Sequence, residues 1–212
     1  MSSTLRYKVL LLLLLSVSAF AESPFITCWD NMDRKTGYRA HSWKSAAVSN
    51  QGGANAFVEL KALPTPHGDC TNTSRLYVRQ SNDLPYKLVF TTRVEPDTQG
   101  NSLEIVGWSG NQLLLNESSW TYHGDAFYSQ PVVYDAKTGT VSRPKIGDLI
   151  SAQIHKDCSI KAVAKRWVSS EIELTAQDYE IDYGTDEADG CLTGQPKTWL
   201  FNPASSELRP NK

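Results

Sequence analysis

Short apolar runs separated by turn residues fill most of the chain after residue 21. The clearest example is residues 101–144, where polar turns divide three apolar runs and the last run ends in the turn 135–139. Residues 74–80 alternate strictly, with Leu76 and Val78 on one face and polar or aromatic side chains on the other. Alternation with a period of two is typical of half-buried β-strands. The pattern therefore predicts antiparallel strands joined by short turns.

Roughly ten short strands with regularly spaced turns define an all-β class. Strands are predicted at residues 37–48, 54–63, 74–80, 86–94, 103–108, 112–120, 129–134, 148–155, 160–168, 171–179 and 197–201. A helix is the alternative at 160–165, but the flanking β-branched residues favour a strand. We expect one all-β domain over residues 22–212, with 22–100 and 101–212 as its two candidate halves.

One segment of the sequence is echoed later in the chain. Residues 133–144 and 200–210 both read aromatic, Asx, turn, aliphatic, Arg-Pro, and a tryptophan lies upstream of each, at Trp108 and at Trp167. Together with residues 107–115, the first copy resembles one blade of a β-propeller repeat. The resemblance implies a small propeller-like scaffold and no particular activity. A β-sandwich or an irregular barrel is an alternative of equal weight.

The N-terminus has the pattern of a secretory signal peptide. Arg6 and Lys8 precede an apolar run at residues 9–15, and Ala19 and Ala21 give a small-x-small end. A membrane anchor is the alternative, but the run is shorter than the about 20 residues that span a bilayer. We expect cleavage between Ala21 and Glu22, a secreted or periplasmic protein, and no membrane span in the exported part.

The charge of the chain argues against some partners. Its 21 basic and 23 acidic residues give a formal net charge of −2, and the leader holds two of the basic ones. A mildly acidic chain with scattered charges lacks the basic face that nucleic acids and anionic membranes require. We expect neither as a partner.

All four cysteines lie in the exported part, where an even count predicts two disulfides. Three pairings are open. Local closure favours Cys28–Cys70 together with Cys158–Cys191, because each half of the chain holds one of these pairs. No pair has the CxxC spacing of a redox or zinc site.

The sequence contains no catalytic motif. His67 and His123 are each followed by Gly-Asp, an arrangement that suits a general base or a metal but is more often a turn. Ser109 follows Gly-Trp without the last glycine of a nucleophile elbow. A pair of carboxylates for glycoside hydrolysis can come from distant parts of a fold, so an envelope hydrolase acting on glycan or peptide stays open.

Two polar loops are the predicted binding surfaces. The first, residues 120–130, is expected to expose an aromatic patch, and the second, residues 178–190, holds six carboxylates that suit a basic partner or, as an alternative, calcium. The candidate binding residues are Trp120, Tyr122, His123, Phe127, Tyr128, Asp186, Glu187 and Asp189. These loops, beside the missing catalytic motifs, indicate a non-catalytic binding module without a resident cofactor. Its expected partner is a protein, as for an inhibitor or immunity-type protein, or a glycan; a structural envelope protein is the further alternative.

Overall fold

The structure is a computed structural model, and it describes residues 32–33, 37–38, 41–64, 70–93, 98–121, 127–156, 160–178, 190 and 192–211. Within these ranges the chain forms strands and a single short helix. In order they are β1 (Met32–Asp33), β2 (Gly37–Tyr38), β3 (His41–Lys44), β4 (Val48–Ser49), β5 (Asn55–Pro64), β6 (Cys70–Arg79), β7 (Lys87–Thr91), β8 (Thr98–Ser109), β9 (Gln112–Thr121), β10 (Phe127–Asp135), β11 (Thr140–Ser142), α1 (Ile146–Ile154), β12 (Ile160–Val168), β13 (Glu171–Asp178), β14 (Thr198–Asn202) and β15 (Glu207–Pro210). The all-β prediction is confirmed.

β1 and β2 pair as a separate two-stranded sheet, and the other strands form three antiparallel meanders. In the first meander (β3–β7), β5 pairs with β3, β4 and β6, and β6 pairs with β7. The second meander (β8–β11) and the third meander (β12–β15) each run strand by strand in chain order. A single parallel bridge between Asn72 and Gly100 joins the first two meanders into one nine-stranded sheet. This sheet is open, with β3 and β11 at its ends, so the described chain does not close into a propeller.

The second meander lies between the other two. Leu113, Leu114 and Leu115 are consecutive on β9 and are all fully buried, which a strand achieves only when both of its faces are covered. Leu113 and Leu115 belong to the core shared with Val58 and Leu76 of the first meander. Leu114 faces the other way, into the core formed with the third meander and α1. Two hydrophobic cores therefore flank one central meander.

Tight turns connect the strands within each meander. Asp135 accepts hydrogen bonds from the backbone N–H groups of Lys137 and Thr138 at 2.8 and 3.1 Å, and so fixes the β10–β11 turn. Asn202 makes the corresponding bonds to Ala204 and Ser205 at 2.9 and 3.4 Å in the β14–β15 turn. An Asx side chain that bonds the backbone two residues ahead stabilises such turns. The two segments that are alike in sequence thus form the same kind of turn.

The strand predicted at residues 148–155 is wrong, because this segment lies in α1. Ile146, Ile150 and Ile154 recur every four residues and share one helix face. Ile146 and Ile150 are buried in the core beside β12, and His155 ends the helix with a left-handed backbone, φ 56°. A spacing of four is consistent with a helix, but it also fits a period of two, which is why a strand was predicted. The strand predicted at residues 160–168 is confirmed as β12.

Candidate functional site

A cavity of about 720 Å³ opens between the first and second meanders. Its lining residues are Phe90, Thr91, Arg93, Asn101, Glu117, Ser119, Tyr128, Gln130 and Arg143. The volume falls within the usual range of ligand pockets, about 300–1,000 Å³. The cavity is therefore large enough for a short peptide segment or a small sugar.

Strand register brings the polar side chains of this cavity together. Glu117 lies opposite Gln130, and Ser119 lies opposite Tyr128, on the paired strands β9 and β10. Residues two apart on a strand share a face, so all four side chains point the same way. Asn101 on β8 joins them, because it lies opposite Ser119.

Glu117 is the central charge of the cavity. It is a buried residue, 7% exposed, and its carboxylate accepts hydrogen bonds from Arg143 Nε at 2.8 Å and Nη2 at 3.4 Å. Gln130 Nε2 donates a third bond at 3.2 Å. The Arg143 guanidinium in turn lies 4.5 Å from the centre of the Phe90 ring, a cation–π distance. A buried carboxylate requires such partners, and this one is held in place from two sides.

Tyr128 extends this network to the surface. Its hydroxyl donates a hydrogen bond to Gln130 Oε1 at 3.0 Å, while 41% of the residue stays exposed. Burial of the hydroxyl raises the pKa of Tyr128, and the negative charges of Asp148 and Glu117 raise it further. The tyrosine therefore stays protonated, and remains a donor, at any physiological pH.

Arg93 is the free cation at the rim of the cavity. Its side chain is exposed and forms no ion pair within the described part of the chain. Its backbone carbonyl accepts a hydrogen bond from Asn101 Nδ2 at 2.6 Å, which fixes the position of the residue. Since Arg143 pairs with Glu117, the charges of the described lining residues leave one positive charge, that of Arg93. The lining therefore offers aromatic faces, amide donors and acceptors, and a cation.

Only some of the binding residues predicted from the sequence lie within the described part of the structure. Tyr128 lines the cavity, as described, and Phe127 is the first residue of β10 rather than part of a loop. Tyr122, His123, Asp186, Glu187 and Asp189 lie outside the described residues, as do Cys28, Cys158 and Cys191. Cys70 begins β6, but its side chain is not among those described. The disulfide pairing and the acidic-loop surface stay predictions.

The expected exposure of Trp120 is wrong. Trp120 lies on β9 and is only 6% exposed. Its ring packs against Gly100, its neighbour on β8, so closely that a Cβ on Gly100 would lie 2.6 Å from the ring atom Cζ2. An indole that covers a glycine in the adjacent strand fills space within the sheet, so Trp120 is part of the scaffold.

The chain has two N-glycosylation sequons, at Asn72 and Asn116, and both asparagines are inaccessible in the folded protein. Asn72 is 4% exposed and Asn116 is 5% exposed. The Asn116 amide instead donates to the Ala164 carbonyl at 3.0 Å and accepts from its N–H at 2.8 Å. This side chain therefore joins the second meander to the third.

The cavity residues Glu117, Arg143, Phe90, Gln130 and Arg93 were not predicted. The position of Glu117 could have indicated a functional residue, because it is a charged residue between apolar segments of a strand that is buried on both faces. Arg143 appeared only as part of the repeated Arg-Pro ending.

The described ranges contain no group of three or more potential metal ligands. The single described helix, α1, is far shorter than a membrane-spanning helix. No protein-family model, no curated protein and no solved structure matches the chain.

Proposed function

We propose that this protein is a secreted or periplasmic, non-catalytic binding module that holds a segment of a protein partner in the cavity between its first two meanders. An inhibitor or immunity-type protein would work in this way. The observation that carries the proposal is the state of Glu117. This carboxylate is buried and bound by Arg143 and Gln130, so it organises the polar side chains of the cavity.

The lining also has the composition of a protein-binding hot spot. Tyr128 is half-exposed over the cavity, and Arg93 and Arg143 also line it. Tyrosine and arginine dominate the binding energy of protein interfaces, because they combine a large contact area with directed hydrogen bonds. Gln130 and Asn101 add the amide groups that a peptide backbone needs as partners.

The alternative of an envelope hydrolase has less support. Glycoside hydrolysis needs two carboxyl groups, about 5–10 Å apart, with different protonation states. The described lining of the cavity contains one carboxylate, Glu117, and no histidine. The third alternative, a purely structural envelope protein, leaves without a role the exposed Tyr128 and Arg93, which has no ion pair within the described residues.

We also propose that the meanders are blade-like repeats that serve as scaffold. The Asx turns of β10–β11 and β14–β15 support this, as does the matching tryptophan ahead of each. In this view the core of each meander is scaffold, and binding falls to the rim of the cavity.

A peptide selection tests the binding proposal. Random peptides displayed on phage are selected on the immobilised protein, and the affinities of enriched peptides are then measured on variants. We expect Tyr128→Ala and Arg93→Ala to weaken binding about tenfold, as hot-spot truncations do. Lys137→Ala, an exposed turn residue, is the matched control and should change little.

Two outcomes contradict the proposal. Enriched peptides that bind both cavity variants as tightly as the unaltered protein would show that the cavity is not the site. Cleavage of peptides or of peptidoglycan fragments by the purified protein, abolished in Glu117→Gln, would show an enzyme instead.

A further inference from the structure

The outer face of the first meander, which points away from the second, carries aromatic rings. On β5 the core residues Ala56 and Val58 alternate with outward-facing Phe57. Phe57 lies opposite Tyr77 on β6 and stacks on it with ring centres 5.0 Å apart, at an interplanar angle of 10°. The rings of Tyr86 and Phe57 form a T-shaped pair with their centres 4.8 Å apart. The rings form one cluster on an open sheet surface.

An exposed leucine continues this cluster. Leu88 on β7 lies opposite Tyr77 and is 50% exposed, and Leu84 in the preceding turn is 48% exposed. With Tyr128, these two are the exposed large hydrophobic residues among those described. Two of the three therefore lie on or beside the same face, and neighbouring exposed apolar side chains mark interaction surfaces.

The same face has an excess of positive charge. Lys44 Nζ lies 5.4 Å above the Phe57 ring, and the Arg79 guanidinium lies 4.8 Å above Tyr86. Arg75 lies on the same face, because it is opposite Glu59 on the paired strand. Its Nε atom is buried and has no hydrogen-bond partner among the described residues. On the strands of this face the described carboxylate is Glu59, which pairs with Lys61 at 3.5 Å and accepts a hydrogen bond from the Tyr77 hydroxyl at 3.2 Å. Asp83 lies exposed in the turn beside Leu84.

The outer face of the third meander, at the other end of the stack, shows the opposite arrangement. There Arg166 pairs with Glu173 at 2.8 Å, and Arg209 pairs with Glu171 at 2.7 Å. Each arginine has its own carboxylate, which is the usual state of a solvated sheet face. Within the described residues, Lys44, Arg75 and Arg79 of the first meander have no such carboxylate, although Arg79 donates to Asn82 at 3.0 and 3.2 Å. The chain as a whole has a net charge of −2.

We propose that the outer face of the first meander docks an acidic surface of a protein partner. Charge complementarity sets the sign of the partner's surface. The tyrosine, phenylalanine and arginine side chains of this face are those that protein interfaces favour. Arg75 and Arg79 are four residues apart on one strand, about 13 Å at the usual rise, so they suit carboxylates spread over a surface.

The face also adjoins the cavity. Thr91, which lines the cavity, lies opposite Arg75 across the β6–β7 pair. One protein partner can therefore cover the face and insert a segment into the cavity. In this form the inference rests on the protein-binding function proposed above, to which it adds a second surface and the charge of the partner.

The test uses phage-displayed peptides enriched in Asp and Glu, selected on the full-length mature protein at low salt. We expect the Arg75→Glu, Arg79→Glu double variant to weaken binding of the selected peptides at least tenfold, and Leu88→Ala to weaken it severalfold. The control is the double variant Lys137→Glu, Lys156→Glu, which makes the same charge change at two exposed positions outside this face. Its affinity for the selected peptides should stay within about twofold of that of the unaltered protein.

A second variant guards against a folding defect, since part of Arg75 is buried. Lys44→Glu combined with Lys61→Glu reverses the charge through lysine side chains, and near-ultraviolet circular dichroism checks that both double variants keep their packing. Equal loss in the Lys137, Lys156 control would overturn the inference, because only net charge would then matter. Preferential binding of heparin, of single-stranded DNA or of phosphatidylglycerol vesicles through the same residues would also overturn it.

The two proposals fail in different ways. Peptides that depend on Tyr128 and Arg93 but not on Arg75, Arg79 or Leu88 would leave the cavity function standing and refute the second surface. Peptides that depend on neither set would refute both.

Discussion

The indole N–H of Trp167 donates a hydrogen bond to the carbonyl of Gly107 at 3.2 Å. Trp108 makes the same bond to the carbonyl of Val48 at 3.0 Å, and both bonds span 60 residues of sequence. Each bond joins the first strand of one meander to a strand of the meander before it. Ser109 Oγ adds a contact to the Ser169 carbonyl at 3.1 Å, beside the second junction. The two junctions between meanders are therefore built alike.

Replacing either junction tryptophan with phenylalanine should destabilise the protein through the lost hydrogen bond. Trp108→Phe and Trp167→Phe keep an aromatic ring but leave a partly buried carbonyl without its donor, at a cost of about 1–2 kcal/mol. Urea unfolding measures the loss. Trp43→Phe is the matched control, because Trp43 is half-buried and its indole makes no hydrogen bond in the described part of the chain. An equal loss in all three variants would assign the effect to ring size.

Asn116 is expected to be the most sensitive polar residue of the core. Asn116→Ala leaves both the N–H and the carbonyl of Ala164 buried without a partner, and we expect a loss of about 3 kcal/mol or more in the free energy of unfolding. Asn116→Asp keeps the acceptor and, when its carboxyl is protonated, regains a donor. Its deficit should therefore shrink as the pH falls. A deficit that does not change with pH would contradict the paired-bond explanation.

Much of this fold follows from the sequence, because strands show their burial in a two-residue alternation. β6, β9, β10, β12 and β13 all lie where alternation or short apolar runs predict them. The helix α1 was missed because it is a nine-residue element with only three isoleucines to mark its spacing. In so short a segment, apolar residues at i and i+4 also satisfy a period of two.

The cavity could not be predicted in the same way. Its residues come from β7, β8, β9 and β10 and from Arg143, and they meet only because the first two meanders pack against each other. No spacing along the chain encodes that packing. The error at Trp120 has the same origin, since its position next to a polar loop suggested exposure, while Gly100 on the neighbouring strand provides the space that buries it.

Gly100→Ala should be strongly destabilising. The added methyl group would lie 2.6 Å from Trp120 Cζ2 and 2.9 Å from Asn72 Cβ, and overpacking of this kind costs about 1–3 kcal/mol. Gly52→Ala is the control, because its Cβ would meet nothing closer than 3.5 Å and the residue lies in an exposed turn. Thermal unfolding of both variants measures the difference. If Gly100→Ala costs as much stability in a Trp120→Phe background as in the unaltered protein, the indole is not the group that meets the methyl.

The raised pKa of Tyr128 predicts a loss of stability in alkali. Burial raises this pKa first, followed by the charges of Asp148 and Glu117, so the folded state keeps the proton at a pH where the unfolded chain has released it. Because the unfolded state then binds fewer protons, stability falls as the pH rises above the ordinary tyrosine pKa, about 10. Tyr128→Phe should remove this part of the fall. Asp148→Asn should move the pKa of Tyr128 down toward its ordinary value. The tyrosinate absorbance of Tyr128 is obtained as the difference between titrations of variants with and without Tyr128. In the Asp148→Asn background this absorbance should appear at a lower pH. An unchanged titration in Asp148→Asn would mean that burial alone sets the shift.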